Sequence, residues 1–339
     1  MGAEPVPTAS AQLSHTGSPA GAERLRCSPW LRRFLHKRAT RAARRRDARD
    51  RMRLTADARA DLARFLKSGQ RLACPRANGA PEVSVIVVIW NQPHFLLRSL
   101  RALVAQSGPR LQVVLVDNGS GAETQALLSR LDGFVILRNS VNAGFVTACN
   151  QGARAASGRA LLMLNSDAFL RPGAIANAMA ALDGEMGVGV VGGRLILPSG
   201  RLQEAGCIVW ADGITTGRGR GLAPGGHEAL RRCDVDYCSG AFLLTPRDVW
   251  ERFGGFDEVF TPGYYEDADY CMRLRQDGLR VIFEPSVAVD HFENGSEVKP
   301  GHALRISERN QVTFRDRHAA ALRTRRPALA DAPAPETAL

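Results

Sequence analysis

No run of apolar residues in this 339-residue chain exceeds about eight, the longest being Val83 to Trp90 with Ser84 inside it. A membrane-spanning helix needs ~20, so none is expected. Nor does the chain open on a signal-peptide core. Its seven cysteines form no paired framework: Cys233 and Cys238 have four residues between them and no companion Cys/His pair at metal-site spacing. Together these absences set the expectation of reduced thiols and a cytoplasmic location. There is no Gly-x-Gly-x-x-Gly after the first strand-like run and no Gly-x-x-x-x-Gly-Lys-Ser/Thr anywhere, which argues against a dinucleotide oxidoreductase and a P-loop NTPase.

What is present is 45% hydrophobic residues, enough for one large core or two small ones, and a formal charge of +11 that is far from evenly spread. Between Glu23 and Arg53 stand 13 Arg/Lys against three acids, so this stretch carries +10 and the remainder is nearly neutral. The basicity therefore describes one segment and says nothing of the whole protein's partners. Residues 1–22, rich in Ala, Ser, Gly and Pro, read as disordered. Residues 23–68 read as a basic amphipathic helical arm, with Trp30, Leu31, Phe34 and Leu35, then Leu54, Leu62, Phe65 and Leu66, at loosely helical spacing. Such an arm either rests on anionic lipid at the inner face of the cell membrane through residues 23–66 or packs as a solvated basic helix on the next domain. Aromatics interleave with the charges only at Trp30 and Phe34, so no nucleic acid is expected. Residues 69–81, with Pro75, Gly79 and Pro81, read as a linker, and residues 319–339 as a disordered Ala/Pro tail.

From Val83 onward strand-like and helix-like patterns alternate. Apolar runs at 83–89, 111–116, 135–137 and 160–164 are separated by helical stretches at 94–105, 123–131 and 146–156. Four β-α steps predict an α/β domain over 82–318, doubly wound on a mostly parallel sheet. Polar residues follow three of these strands: Trp90 and Asn91, Asp117, and Asn165 with Asp167. Strand ends that converge in this way form a crevice of the nucleotide-binding type. Asn165-Ser166-Asp167 is open to two readings. It is ordinary turn chemistry, or it is an oxygen-ligand site for a divalent cation whose remaining positions go to phosphate and water. Downstream, Glu266, Asp267 and Asp269 stand at the start of a predicted helix. Acids there stabilise the helix dipole, yet three carboxylates straight after Tyr264 and Tyr265 exceed what capping needs. His291 ends a further predicted strand and is a ligand candidate.

In order along the chain, Val83 to Asn91, Asp117-Asn118-Gly119-Ser120, Asn139, Asn142, Gly144, Phe145, Asn150 and Gly152, Asn165-Ser166-Asp167, Gly254 to Glu258, Tyr265 to Asp269, His291 with Ser296, and Asn310 with Phe314 resemble the inverting family 2 glycosyltransferases of GT-A fold, in their rhamnosyltransferase-like bacterial branch. The resemblance covers about 83–314. It departs from the family pattern at Trp90, where Tyr is commoner, and at Asn165, a neutral residue at the first position of the metal motif. It implies transfer of a sugar from a nucleotide-diphosphate donor to a hydroxyl of a glycan or lipid-linked glycan acceptor, in cell-envelope polysaccharide assembly. Asp267 would then be the base, with Glu266 and Asp269 orienting it or the acceptor. Trp90, Asn91, Asp117, Asn118, Asn142, Gly144, Asn165 and Ser166 would hold the donor. Asp167 and His291 would contact a divalent cation, Mg or Mn. The alternative is a catalytically silent module of this type that binds nucleotide or serves as a scaffold. Because the basic arm lies outside the resemblance, removal of residues 1–70 is expected to leave the catalytic fold intact.

Overall fold

The computed structural model describes residues 29–74, 79–293 and 302–325, with side chains from Asp47 onward except those of residues 228 and 302. The segment read as disordered at 1–22, Ser296, and the part beyond 325 of the tail read as disordered at 319–339 lie outside the described residues; the start of that tail is instead helical over Ala319–Leu322, with Leu322 buried in the core. The chain divides into two compact units, 1–45 and 46–339. Of the first only a helical backbone from Pro29 is described; that helix, α1, runs Pro29–Lys67.

In the larger unit Leu54, Ala58, Leu62 and Phe65 recur at helical spacing on α1. Ala58 packs with Phe95 and Phe169, while Leu62 and Phe65 are 1% and 4% exposed within the main core. Truncating side chains buried to that degree costs about 2–5 kcal/mol each. The expectation that residues 1–70 can be removed without harm therefore fails for the part from Leu54 onward. The segment read as a linker also carries structure: Leu72–Ala73 pairs in parallel with Leu131–Asp132, and Arg71 meets Asp132 at 2.6 Å.

The principal strands are β1 (Val83–Ile89), β2 (Leu111–Asn118), β3 (Val135–Asn139), β4 (Ala160–Asn165), β5 (Val188–Ile196), β6 (Leu202–Ala205), β7 (Phe242–Pro246) and β8 (Arg280–His291). The sheet runs β8-β5-β7-β4-β1-β2-β3, with Cys233–Asp234 outside β8, β6 paired to β5, and Ala168–Leu170 paired to β8. β4, β1, β2 and β3 are mutually parallel. β7 enters antiparallel to both β4 and β5, so the sheet is parallel in its first half and mixed in its second. The strand expected to end at His291 is long, β8 running with a register shift between Phe283 and Ala288.

Alternation along β1 explains the layering. Val83, Val85, Val87 and Ile89 face one core with Leu96 and Leu100 of α2 (Pro93–Val104) and Ile175 of α5 (Ala174–Asp183). Ile86 faces a second core with Val146 of α4 (Phe145–Arg154), Tyr270 of α6 (Glu266–Gln276) and Phe314 of α7 (His302–Arg317). A strand buried on both faces reads as a continuous apolar run, as this one does. The short helix α3 (Ala122–Leu128) adds Leu127 and Leu128 to the first core.

Candidate active site

The register brings the polar strand ends to one edge. Val88 pairs with Asn165 across β1 and β4, Ile89 with Asp117 across β1 and β2, and His291 with Ala168. Because β7 is antiparallel, the residues before it arrive at the same edge: Asn165 N–H donates to Ala241 O at 3.2 Å. The result is a cavity of about 940 Å³. Of the residues singled out in the sequence, Trp90, Asn118, Asn142, Gly144, Asn165, Ser166, Asp167, Glu266, Asp267 and His291 line it.

On one wall His291 Nε2 lies 3.3 Å from Asp167 Oδ1 and 3.3 Å from the Asn165 side-chain amide. Gln203 Oε1, 2.7 Å away, accepts from His291 Nδ1, which leaves Nε2 turned toward Asp167 and Asn165. Burial presses the imidazole toward neutrality, but the Asp167 carboxylate, with Glu293 and Glu204 behind it, outweighs burial and raises its pKa. Among the described residues no three His, Cys, Asp or Glu side chains gather at metal-holding distance. The donor set here is a carboxylate, an imidazole nitrogen and an amide. That set fits a divalent cation that takes its remaining oxygens from phosphate and water.

Facing it stands the start of α6. Tyr264 and Tyr265 both have positive φ, 72° and 74°, a conformation bulky residues adopt only when their surroundings force it. Asn310 of α7 supplies that force, donating to the carbonyls of Phe260 and Gly263 at 2.8 Å and of Tyr264 at 2.9 Å. Asn150 of α4 holds the preceding turn, donating to Phe256 O at 2.8 Å and accepting from Phe256 N–H at 3.1 Å. The turn so fixed delivers two adjacent carboxyl groups. Asp267 accepts from Gly240 N–H at 3.0 Å and from Ala268 N–H at 2.8 Å. Burial raises its pKa above the ordinary carboxylate value, and those amides offset the rise only in part. Glu266 is driven well above the carboxylate range by burial and by the charges of Asp267 and Asp269, and its Oε2 has no hydrogen-bond partner among the described residues. Both neighbouring carboxyls are thus raised, and of the two it is Asp267 whose charged form the backbone amides favour.

Three residues fall elsewhere. Asp269 is fully buried away from the cavity, held by Arg273 at 2.7 Å, Arg317 at 3.1 Å and His318 at 2.9 Å. Burial opposes its ionisation, but His318, Arg273 and Arg317 prevail and lower its pKa, so it anchors α6 to α7 and does not orient the acceptor. Asp117 accepts from Ser120 N–H at 3.0 Å and from Gln125 Nε2 at 2.6 Å, while Asn91 accepts from Gly121 N–H at 2.9 Å; both order the turn after β2. That turn also fixes Asn118, which donates to Gly144 O at 3.1 Å and accepts from Asn139 at 2.8 Å. Gly144 has φ 85°, and a Cβ there would come within 2.7 Å of Pro262, so only glycine lets the two loops meet. Residues not anticipated from the sequence also contribute: Gln203 behind His291, Tyr237 and Thr215 in the wall, and Arg305 and Ile306 of α7 at the mouth. Glu204, one residue past Gln203, accepts from Ser239 N–H at 3.4 Å; burial, reinforced by Asp267, raises its pKa to about 7.

Residues 84–238 match the family described as Glycosyl transferase family 2. The O-antigen biosynthesis protein RfbC of Myxococcus xanthus is 32% identical over 64% of this chain and 18% of its own length. The N-acetylglucosaminyl-diphospho-decaprenol L-rhamnosyltransferase of Mycobacterium tuberculosis is 26% identical over 69% of this chain and 84% of its own. The chain spans half or less of the length of three other relatives it matches, 25%, 49% and 29%. Among solved structures, GalNAc-T7 with UDP, GalNAc and Mn2+ superposes with a TM-score of 0.57 at 15% identity, over 72% of this chain and 50% of that one. The fold is that of the GT-A nucleotide-sugar transferases.

Proposed function

We propose that this chain, homologous to the family 2 glycosyltransferases and built on their GT-A fold, moves a sugar from a nucleotide-diphosphate donor to a hydroxyl of a glycan or lipid-linked glycan acceptor. Inversion at the anomeric carbon and a place in envelope polysaccharide assembly belong to the same proposal, the latter supported by the likeness to the O-antigen biosynthesis protein RfbC and the decaprenol-linked rhamnosyltransferase. The observation that carries it is that one cavity joins the Asn165, Asp167 and His291 cluster to Asp267, whose carboxyl oxygens are held by two backbone amides.

Asn165, Asp167 and His291 would hold Mg or Mn. Bound there, the cation supplies Lewis-acid stabilisation of the departing diphosphate without a proton donor. Trp90, Asn118, Asn142 and Gly144 wall the nucleoside side, Asn91 and Asp117 order the turn beneath it, and Ser166 lies between the two metal-motif residues. Asp267 accepts the proton of the acceptor hydroxyl as that oxygen bonds to the anomeric carbon and the bond to the diphosphate breaks. Glu266 beside it, its pKa raised by burial and by Asp267, would add no second negative charge when protonated.

No helix among the described residues is long and apolar enough to cross a membrane. Attachment to the membrane face is proposed to be peripheral, through residues 23–66. The neutral Asn165 in the metal motif favours, as a second reading, a silent nucleotide-binding module. Turnover of UDP-, GDP- and dTDP-sugars with Mn2+ decides between them. Release of nucleoside diphosphate that rises when a glycan acceptor is added supports transfer, whereas binding without release establishes the silent module.

A further inference from the structure

Arg51 lies on α1, well before the matched region, yet it grips the end of β8. Its Nη1 donates to Phe292 O and, at 3.1 Å, to Glu293 O. Its guanidinium sits 5.1 Å from the centre of the Phe292 ring, and that ring lies 4.2 Å from Phe95 of α2. Asp47, one turn earlier on α1, accepts from Arg51 Nε at 2.8 Å and fixes the fork. Glu293 has φ 59° and lines the cavity. Its carboxylate meets Arg51 at 3.8 Å and Arg220 at 2.9 Å.

These contacts are one step from the cation cluster. Phe292 N–H donates to Asp167 O at 3.0 Å, and His291 is the residue before it. The segment that sets the spacing of His291 and Asp167 is thus held by backbone bonds to a side chain of α1. It is also held in a left-handed turn that a glutamate does not adopt unaided.

We propose that Arg51 is a positioning residue of the transferase site: it locks the Phe292–Glu293 turn against the end of β4, so that α1 holds His291 and Asp167 at cation-binding spacing. The planar fork matters because it serves two carbonyls and the phenyl face at once, which an ammonium does not do. Partners that orient metal ligands typically alter metal affinity by about tenfold to a hundredfold when removed, and Arg51 is expected at the lower end. The inference rests on the glycosyltransferase reading for its catalytic consequence but not for the clamp itself.

The test uses the full chain, wild type, R51A and R51K, with Mn2+ titrated alone and with UDP, GDP or dTDP, bound ion being read by electron paramagnetic resonance. Hydrogen exchange at the Phe292 amide is followed in parallel. The expected result is faster exchange at Phe292, Mn2+ affinity about tenfold weaker in R51A, partial recovery in R51K, and kcat lowered more than the donor KM is raised. Should R51A fail to fold, R51K decides alone, with weaker binding and faster Phe292 exchange at a near-normal melting temperature. Unchanged Phe292 exchange, or faster exchange with unaltered Mn2+ affinity, overturns the proposal. A wild type that binds neither Mn2+ nor any of the three nucleotides instead overturns the glycosyltransferase reading, while the exchange measurement still reports on the clamp.

Discussion

The side-chain amide of Asn165 and Nε2 of His291 stand 3.3 Å apart across 126 residues of chain. The contact exists because β4 and β8 end on the same sheet edge, stitched together by the pairing of Ala168 to His291. Asn165 contributes a dipole where a carboxylate would contribute a charge. Asn165→Asp should therefore tighten Mn2+ binding severalfold, and Asp167→Ala should weaken both cation and nucleoside-diphosphate binding by about tenfold or more, since hard cations depend on anionic oxygen. Calorimetric titration with and without EDTA reads both. Nucleotide binding indifferent to EDTA and to either substitution would show that the cluster holds no cation.

Asp267→Asn should lower turnover by roughly 10² to 10⁴, the range for a general base, with donor affinity nearly unchanged. Gly240 and Ala268 donate to different oxygens of Asp267, so the asparagine oxygen can keep one of these two bonds, and a melting curve should accompany the assay. Near-normal kcat in this variant would remove Asp267 from the role. Glu266→Gln should be far milder, because a protonated carboxyl and an amide both donate.

Glu204 gives a pH-dependent stability. Its pKa is about 7 in the fold against an ordinary 4.5, so the folded state binds its proton more tightly than the unfolded state does. The stability this group contributes is complete below pH 4.5 and is lost as pH rises through 7. Above that the buried charge costs on the order of 3 kcal/mol, by 1.36 kcal/mol per unit. Glu204→Gln removes the cost, so the variant should gain on the wild type steadily between pH 4.5 and 7 in urea melts. A constant gap across that range would mean Glu204 does not titrate there.

Much of the site was legible in the sequence because a buried strand reads as an apolar run and the polar residues just past it mark the crevice; Asn165, Asp167 and His291 are found in this way. Asp267 and Asp269 look alike in sequence. Two residues along a helix turn them about 200° apart, however, and Asp269 thereby meets Arg273 one turn on, with Arg317 and His318 from outside α6. Gln203 and Glu204 carry no such mark: they alternate on β6, a strand of four residues after a Pro-Ser-Gly turn. Gln203 is marked out only by the neighbour it finds, His291, and Glu204 only by its burial. Arg51 is more distant still, 241 residues from the carbonyl it clamps, and nothing in the local pattern of a basic helix separates it from its solvated neighbours.

The last prediction divides α1 at the boundary between the two compact units. Residues 1–45 hold nine Arg/Lys against two acids, whereas Leu62 and Phe65 further along belong to the main core. A chain beginning at Arg46 should melt like the full protein, and one beginning at Arg71 should be destabilised by well over 5 kcal/mol, from two large buried side chains at about 2–5 kcal/mol each plus the loss of Arg51. Most domains hold only 5–15 kcal/mol in reserve, so the shorter chain should be molten or insoluble. Membrane binding should follow the opposite division. Polybasic segments gain about 1 kcal/mol per Lys/Arg near an anionic surface, less where salt screens them. The full chain should therefore pellet with anionic vesicles at low salt and release at high salt, while the chain from Arg46 stays in the supernatant and retains transfer to a soluble acceptor. Equal pelleting of the two chains would place membrane contact, if any, outside residues 1–45, and no pelleting of either would leave the basic segment to a protein partner.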